Sequence, residues 1–361
     1  MFKIKGLVVF GTRPEIIKLS PLFDVLHKDF NAKFVHTGQH YSYELDRIFF
    51  EDLHLRFPDY LLDVGSASHA NQIANILLKL DKIILKEKPD FVLVQGDTNS
   101  TLAGGLMAGK SNILLAHLEA GCRSFNKSMP EEINRIVVDH LSDKLLAPDK
   151  DAYDNLIKEG IDKKKIDIVG STSFDACSRN ITLAKKSKIL DLLNLDRYVL
   201  VTVHRAENTD NLDNLASIVG ALNELSQSIE IVFSVHPRTR KTLFENNIRL
   251  NKKIKAIEPV GYLDFLALEK NAQFIMTDSG GIQEEAAILS TPCLILRNET
   301  EWTRFVKAGK NLIVGVKKEN ILRVSKGLLN NPNNLKKLRG AKIDFDLDVC
   351  KKVVLALKKR W

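Results

Sequence analysis

Ile275-Met276-Thr277-Asp278-Ser279-Gly280-Gly281-Ile282-Gln283-Glu284-Glu285-Ala286 reads as a short apolar strand that breaks at Ser279-Gly280-Gly281 into a helix. A strand feeding a helix through such a turn is the repeating unit of a doubly wound parallel sheet, and the rest of the chain is read outward from it. The two glycines let backbone approach a ligand with no Cβ in the way. The open N–H groups and positive dipole end of the first helical turn attract phosphate oxygens. Glu285, further into the helix, would be repelled by phosphate and suits a hydroxyl, as the acidic residue of a dinucleotide site does with ribose. These features point to a phosphorylated sugar; the alternative is a capped βα turn with no ligand.

On either side of that stretch, short β-rich runs alternate with amphipathic helical ones. Strand patterns fall at residues 6–10, 33–36, 91–95, 113–117, 144–147 and 166–169, and again at 198–204, 229–235, 255–257, 274–277, 293–296 and 311–314. Several are continuously apolar, as strands covered by helices on both faces must be. The expected fold is therefore α/β, with two doubly wound parallel-sheet (Rossmann-like) domains, residues 1–170 and 171–344. The joint is expected near Gly170-Ser171-Thr172-Ser173, and the last helix, within 345–361, is expected to pack back on the first domain.

The chain has 361 residues, which suits two cores better than one. No apolar run approaches the ~18 residues needed to span a bilayer. The opening Met-Phe-Lys-Ile-Lys-Gly runs straight into a strand pattern rather than a signal peptide, so a cytoplasmic protein with no membrane insertion is expected. Cys122, Cys177, Cys293 and Cys350 are far apart and form no Cys-x-x-Cys pair, which indicates neither a disulfide framework nor a zinc site. The net charge of +8 favours anionic ligands, yet much of the excess lies in lysine runs such as Lys163 to Lys165. Basic residues interleaved with stacking aromatics are missing, so no nucleic-acid partner is expected.

Ligands of doubly wound sheets sit at the carboxyl ends of the strands, and the unusual residues cluster there. Gly11-Thr12-Arg13-Pro14-Glu15 follows the first strand, with Pro14 suited to a first helical position and Lys18 a turn further on. No Gly-x-Gly-x-x-Gly or Walker lysine pattern is present. Gln95-Gly96-Asp97-Thr98 and His117-Leu118-Glu119-Ala120-Gly121 end two more strands, and Met129-Pro130-Glu131-Glu132 opens a helix. One such acid is an ordinary cap, but three close together suggest acid/base chemistry. In the second half, His204-Arg205 and His236-Pro237-Arg238 follow strands directly and resemble a diphosphate clamp, because guanidinium forks bind phosphate bidentately. No metal-ligand spacing is recognisable.

These motifs, together with Gln39-His40, Pro130-Glu131-Glu132-Ile133-Asn134-Arg135 and Asp278 to Glu285, resemble those of the non-hydrolysing UDP-N-acetylglucosamine 2-epimerases over nearly the whole chain. The resemblance implies a GT-B-like arrangement, a homodimer, and interconversion of UDP-GlcNAc and UDP-ManNAc. The route would be anti elimination of UDP to a 2-acetamidoglucal followed by re-addition, with no cofactor. By the same resemblance Asp97, Glu119 and Glu131 surround the sugar, with Lys18 and His204 as further catalytic positions. Arg13, His236, Ser279, Gly280 and Gly281 match nucleotide and diphosphate contacts, Glu285 the ribose contact, and Phe265 a residue beside the uracil. Gln39 and His40 match an allosteric UDP-GlcNAc site, although Ser66 to Asn71 does not supply that site's Arg-Gln pair. Thr300-Glu301-Trp302-Thr303-Arg304 departs from the Thr-Glu-Arg-Pro-Glu of many members and is similar to the branch acting on UDP-2,3-diacetamido-2,3-dideoxy-glucuronate. UDP-GlcNAc is the expected substrate and that uronate the alternative. A GT-B glycosyltransferase and a non-catalytic UDP-sugar binding protein remain as readings of another class.

Overall fold

Parallel strands buried on both faces need apolar residues at consecutive positions, and Leu7, Val8, Val9 and Phe10 are all inaccessible to solvent. They form the centre of the first sheet in the computed structural model, which describes residues 4–39, 43–343 and 348–359. The chain divides into two units, Met1–Arg179 with Phe345–Trp361 and Asn180–Asp344.

The first unit holds β1 (Gly6–Phe10), β2 (Lys33–His36), β3 (Tyr60–Leu61), β4 (Phe91–Gln95), β5 (Leu114–Leu118), β6 (Lys144–Ala147) and β7 (Ile166–Ile168). They form a parallel seven-stranded sheet in the order β3-β2-β1-β4-β5-β6-β7. The second holds β8 (Tyr198–Thr202), β9 (Glu230–Ser234), β10 (Ile254–Ile257), β11 (Ile275–Thr277), β12 (Cys293–Ile295) and β13 (Asn311–Ile313). Their order is β10-β9-β8-β11-β12-β13, again parallel. In each sheet the winding reverses once, between β1 and β4 and between β8 and β11. At such a switch point the loops leaving the two strands diverge and open a crevice at their carboxyl ends.

The helices that matter here are α1 (Arg13–Leu19), α2 (Asn99–Lys110), α3 (Pro130–Leu141), α4 (Thr172–Ala184), α5 (Pro237–Glu245), α6 (Tyr262–Asn271), α7 (Gly280–Leu289) and α8 (Val349–Lys358). α1 starts at Arg13, one residue before Pro14. The proline still lies in the first turn, where its missing N–H costs no bond. β3 was not legible in the sequence, because its two residues are too few to show a period. The division between units falls inside α4, a few residues beyond Gly170 to Ser173.

α8 packs on the first unit through Val349, Val353 and Leu357, in one cluster with Phe30, Phe91 and Leu146. Cys350 N–H donates to Asp175 at 2.8 Å, and Lys358 pairs with Asp29 at 2.9 Å. Truncating Leu357, which is 1% exposed, would cost about 2–5 kcal/mol.

Candidate functional site

In the first unit the β1 and β4 loops are tied together by Glu15. Its Oε2 accepts the N–H groups of Gly11 (2.9 Å) and Thr12 (2.8 Å), and its Oε1 the Thr98 hydroxyl (3.0 Å). Burial raises the Glu15 pKa to about 7 even though these bonds work the other way. The tie holds the start of α1 beside the turn that carries Asp97.

Lys18, near the end of α1, forms an ion pair with Glu119, whose other oxygen accepts Gln95 Nε2 at 2.8 Å. Glu119 is 8% exposed and has φ +70°, a left-handed backbone unusual outside glycine. A Cβ added at Gly96 would lie 3.5 Å from Glu119 Oε2, so this carboxylate stands against the peptide that leads into Asp97. Asp97 is ion-paired with Arg135 of α3, and its carbonyl accepts Asn134 Nδ2 at 2.8 Å. Arg135 also reaches the buried Glu132 at 2.8 Å. Glu131, in the first turn of α3, makes no hydrogen bond or ion pair among the described residues and is half-buried. Asp97, Glu119 and Lys18 are thus gathered at the β4 and β5 ends, with α3 bringing up Glu131. Arg13 lies on the first turn of α1 with its guanidinium 5.3 Å from the Phe49 ring centre.

The second unit offers a cavity of about 170 Å³ bordered by His204, His236, Pro259, Val260, Phe265 and Ile282. It opens at the β8 and β9 ends, and the rings of His204 and His236 stand 5.8 Å apart. Asp278 is fully buried and fixes the β8 loop: it accepts the N–H groups of His204 (3.1 Å) and Arg205 (3.0 Å) and Asn208 Nδ2 (3.0 Å). Ser279 is the N-cap of α7, so Gly280 and Gly281 present the first helical N–H groups beside Ile282 of the cavity wall. Glu285 lies further along α7. There the fully buried Glu269 of α6 faces it, and burial first, Glu285 second, push the Glu269 pKa well above the carboxylate range.

The expected arginine clamp is not built as the sequence suggested. Arg205 points to Glu301 (3.4 Å), Arg238 to Asp210 (2.5 Å) and Arg240 to Glu258 (2.8 Å). Guanidinium groups near acids pair with them, which holds Arg238 and Arg240 on surface acids and Arg205 on Glu301, whose Oε1 would lie 2.4 Å from a Cβ at Gly280. Gln39 is buried, and its Oε1 accepts both Ser100 N–H (3.1 Å) and the Ser100 hydroxyl (2.7 Å). Gln72, just past Ser66 to Asn71, donates to the carbonyls of Gln39 (2.7 Å) and Gly65 (2.9 Å). His40 lies outside the described residues. Among the described residues no group of three or more His, Cys, Asp and Glu side chains is placed to hold a metal ion, and no helix is long and apolar enough to cross a membrane.

Sequence reasoning missed Glu15, Arg135, Asp278 and Glu269 as parts of the site. Glu15, Arg135 and Asp278 stood inside recognised motifs without a role of their own, and an acid between a leucine and a lysine, as in Leu268-Glu269-Lys270, gives no sign of full burial.

A family profile described as UDP-N-acetylglucosamine 2-epimerase matches residues 25–358. A protein of Methanocaldococcus jannaschii named UDP-N-acetylglucosamine 2-epimerase is 49% identical over 345 residues, 92% of this chain and 94% of that one. A Pseudomonas aeruginosa protein named UDP-2,3-diacetamido-2,3-dideoxy-D-glucuronate 2-epimerase is 41% identical over 322 residues, covering 88% and 90%. The crystal structure of the M. jannaschii UDP-GlcNAc 2-epimerase in complex with UDP-GlcNAc and UDP superposes with a TM-score of 0.90 at 46% identity, over 99% of both chains.

Proposed function

Since the chain belongs to the UDP-N-acetylglucosamine 2-epimerase family, we propose that it interconverts UDP-GlcNAc and UDP-ManNAc. The observation that carries the reading is the gathering of Asp97, Glu119 and Lys18 at the β4 and β5 ends, where Glu119 is held between Lys18 and Gln95.

C2–H is a weak acid, and its removal needs a carboxylate held in place, while the departing UDP needs donors for its developing charge. A carboxylate takes the C2 proton, the C1–O bond to UDP breaks with its electron pair leaving on the diphosphate, and a C1–C2 double bond forms. The resulting 2-acetamidoglucal takes UDP back at C1 and a proton at C2 on the opposite face. Atoms and charge balance with no redox partner. Among the described residues Asp97 and Glu119 are matched by Arg135 and Lys18 and Glu131 by no cation, and these three carboxylates are the proton-transfer groups. In the second unit His204, His236, Ser279, Gly280 and Gly281 receive the diphosphate, Phe265 lies along the base, and Glu285 takes a ribose hydroxyl. Arg13 adds a cation to the nucleotide.

Product formed from UDP-GlcNAc in deuterated water carries deuterium at C2 if this holds; retained protium overturns it. The same assay removes the glycosyltransferase and binding-protein readings, which predict no change in UDP-GlcNAc alone.

Trp302 keeps the uronate as a second reading. Its Nε1 would stand 3.3 Å from a Cβ at Gly280, so an indole lies over the N-terminus of α7 where many members place arginine. Direct comparison of kcat/KM on UDP-GlcNAc and the diacetamido uronate decides between them. The reading also includes a cytoplasmic homodimer serving cell-surface polysaccharide or glycan precursor synthesis. Leu78 and Leu85, 69% and 66% exposed on the helix His69–Glu87, supply an apolar stripe for a second copy, and sedimentation velocity tests that state.

A further inference from the structure

The first unit contains a second ionic cluster, behind the acids, that this chemistry does not use. His117 of β5 is fully buried, with Nδ1 2.7 Å from Asp139 Oδ1 and Nε2 2.8 Å from the carbonyl oxygen of Gly96. Asp139 Oδ2 accepts the Gly121 N–H at 3.1 Å and meets Arg123 Nη2 at 2.7 Å. Arg123 in turn forks onto Glu159 at 2.8 and 2.7 Å. A carbonyl oxygen only accepts. Asp139 accepts from the Gly121 N–H and the Arg123 guanidinium on its other oxygen, so it faces His117 as an acceptor too. Both ring nitrogens of His117 therefore donate, and each carries a hydrogen.

The groups so joined are the supports of the candidate acids. The Gly96 peptide leads directly into Asp97, and Gly121 follows Glu119 by two residues. Asp139 lies on α3, which bears Glu131 and Arg135. Gly96 (φ +74°), Glu119 (φ +70°) and Gly121 (φ +82°) are all left-handed. Glycine takes that conformation freely, but Glu119 does not and needs its surroundings to hold it there. At Gly121 a Cβ would fall 2.3 Å from the Ala152 carbonyl oxygen, so the position admits only glycine.

We propose that His117 is the positioning residue of the acid cluster: its doubly protonated ring pins the Gly96 carbonyl and, through Asp139, the Gly121 N–H, setting the Asp97 turn against the Glu119 turn. The charged groups around it are Asp139 and Arg123, with Glu159 behind and Asp97 and Glu119 beyond the Gly96 peptide. The proposal rests on the reading of Asp97 and Glu119 as proton-transfer groups.

The test uses the full-length protein labelled with ¹⁵N-histidine, with the His117 signals assigned by their loss in His117→Gln. Both ring nitrogens of His117 are expected to carry a hydrogen; one bare nitrogen overturns the proposal whatever the kinetics. His117→Gln is then expected to lower kcat by ~30-fold or more while KM and UDP affinity stay within ~3-fold, because the ring orients acids and does not touch the nucleotide. Wild-type kcat in a folded variant, or UDP affinity falling as far as kcat, overturns it. Where His117→Gln fails to fold, Asp139→Asn, which leaves the ring in place, is read by the same criteria. Wild-type protein that incorporates no deuterium at C2 overturns the epimerase reading and this proposal together. Wild-type exchange with equal exchange in His117→Gln overturns this proposal alone.

Discussion

In the first unit the candidate acids and cations neutralise one another: Lys18 with Glu119, Arg135 with Asp97 and Glu132, Arg123 with Asp139 and Glu159. In the second, Arg238 and Arg240 are held by Asp210 and Glu258 while Arg205 meets Glu301 at the N-terminus of α7, and the cavity is bordered by two imidazoles and apolar wall. Paired ions hold a geometry firmly but have little left to attract a ligand. Open N–H groups and an apolar slot attract one but set no acid/base geometry. Rate is thus expected to depend on the first unit and nucleotide affinity on the second.

The strongest way to break that division is Glu119→Gln. The amide keeps the shape but cannot pair with Lys18 or carry a negative charge, so kcat should fall by ~1,000-fold, about 4 kcal/mol of barrier. UDP affinity by calorimetry should change little. A parallel loss of both would show that the acids also hold the nucleotide.

A second test concerns the stability of the first unit alone. His36 is fully buried against Phe10 and Phe50, and burial lowers its pKa to about 4. The unfolded chain takes up that proton near pH 6.5, so His36 removes stability as pH falls from about 6.5 to 4. Glu15, raised to about 7, acts in the opposite sense: its contribution is complete below about pH 4.5 and is lost as pH rises to 7. Each amounts to at most about 3 kcal/mol, and over this window they nearly cancel. His36→Leu should leave only the Glu15 dependence, so the variant should become steadily more stable as pH falls from 7 to 4.5. Hydrogen exchange of residues 6–10 and 33–36 reads this out, and an unchanged flat profile would refute the assignment.

Next in size is Gly280→Ala. The new Cβ would fall 2.4 Å from Glu301 Oε1, and Glu301 is anchored by Arg297 at 2.9 Å and by Arg205 at 3.4 Å, so it cannot easily retreat. We expect UDP affinity to drop by ~30-fold, about 2 kcal/mol, with kcat at saturation nearly kept. At Gly281 nothing lies within 4 Å of an added Cβ, so Gly281→Ala meets no protein atom. Weakened UDP binding there would mark that open space as the ligand's own.

How far the sequence could be read follows from the same contrast. The strands were legible because both faces of each sheet are covered, which turns Leu7 to Phe10 and Tyr198 to Thr202 into unbroken apolar runs. The break at Ser279-Gly280-Gly281 was legible because it is a backbone feature, the passage from β11 into α7. The pairings were not. That Arg205 goes to Glu301, or that Asp139 of α3 meets His117 of β5, depends on which elements each sheet brings side by side, and charge identity alone does not say. Full burial of Glu15 and Glu269 was hidden for the same reason, since an acid on a helix reads as surface until its neighbours are placed.

The smallest expected effect sharpens where the substrate is read. Trp302 is 4% exposed, lies against Phe305 with ring centres 5.8 Å apart, and stands with its indole nitrogen over Gly280 at the start of α7. That is where a diphosphate would bind, and the diphosphate is common to UDP-GlcNAc and the diacetamido uronate. Trp302→Arg should therefore lower KM for both by adding a cation at the shared group. The ratio of their kcat/KM values should move by less than ~10-fold, under about 1.4 kcal/mol. UDP-GlcNAc is expected to remain the preferred substrate before and after the change. If the ratio instead moves by ~100-fold, about 2.7 kcal/mol, with UDP affinity unaltered, then residue 302 reads the sugar itself, and the second unit contributes selectivity as well as affinity.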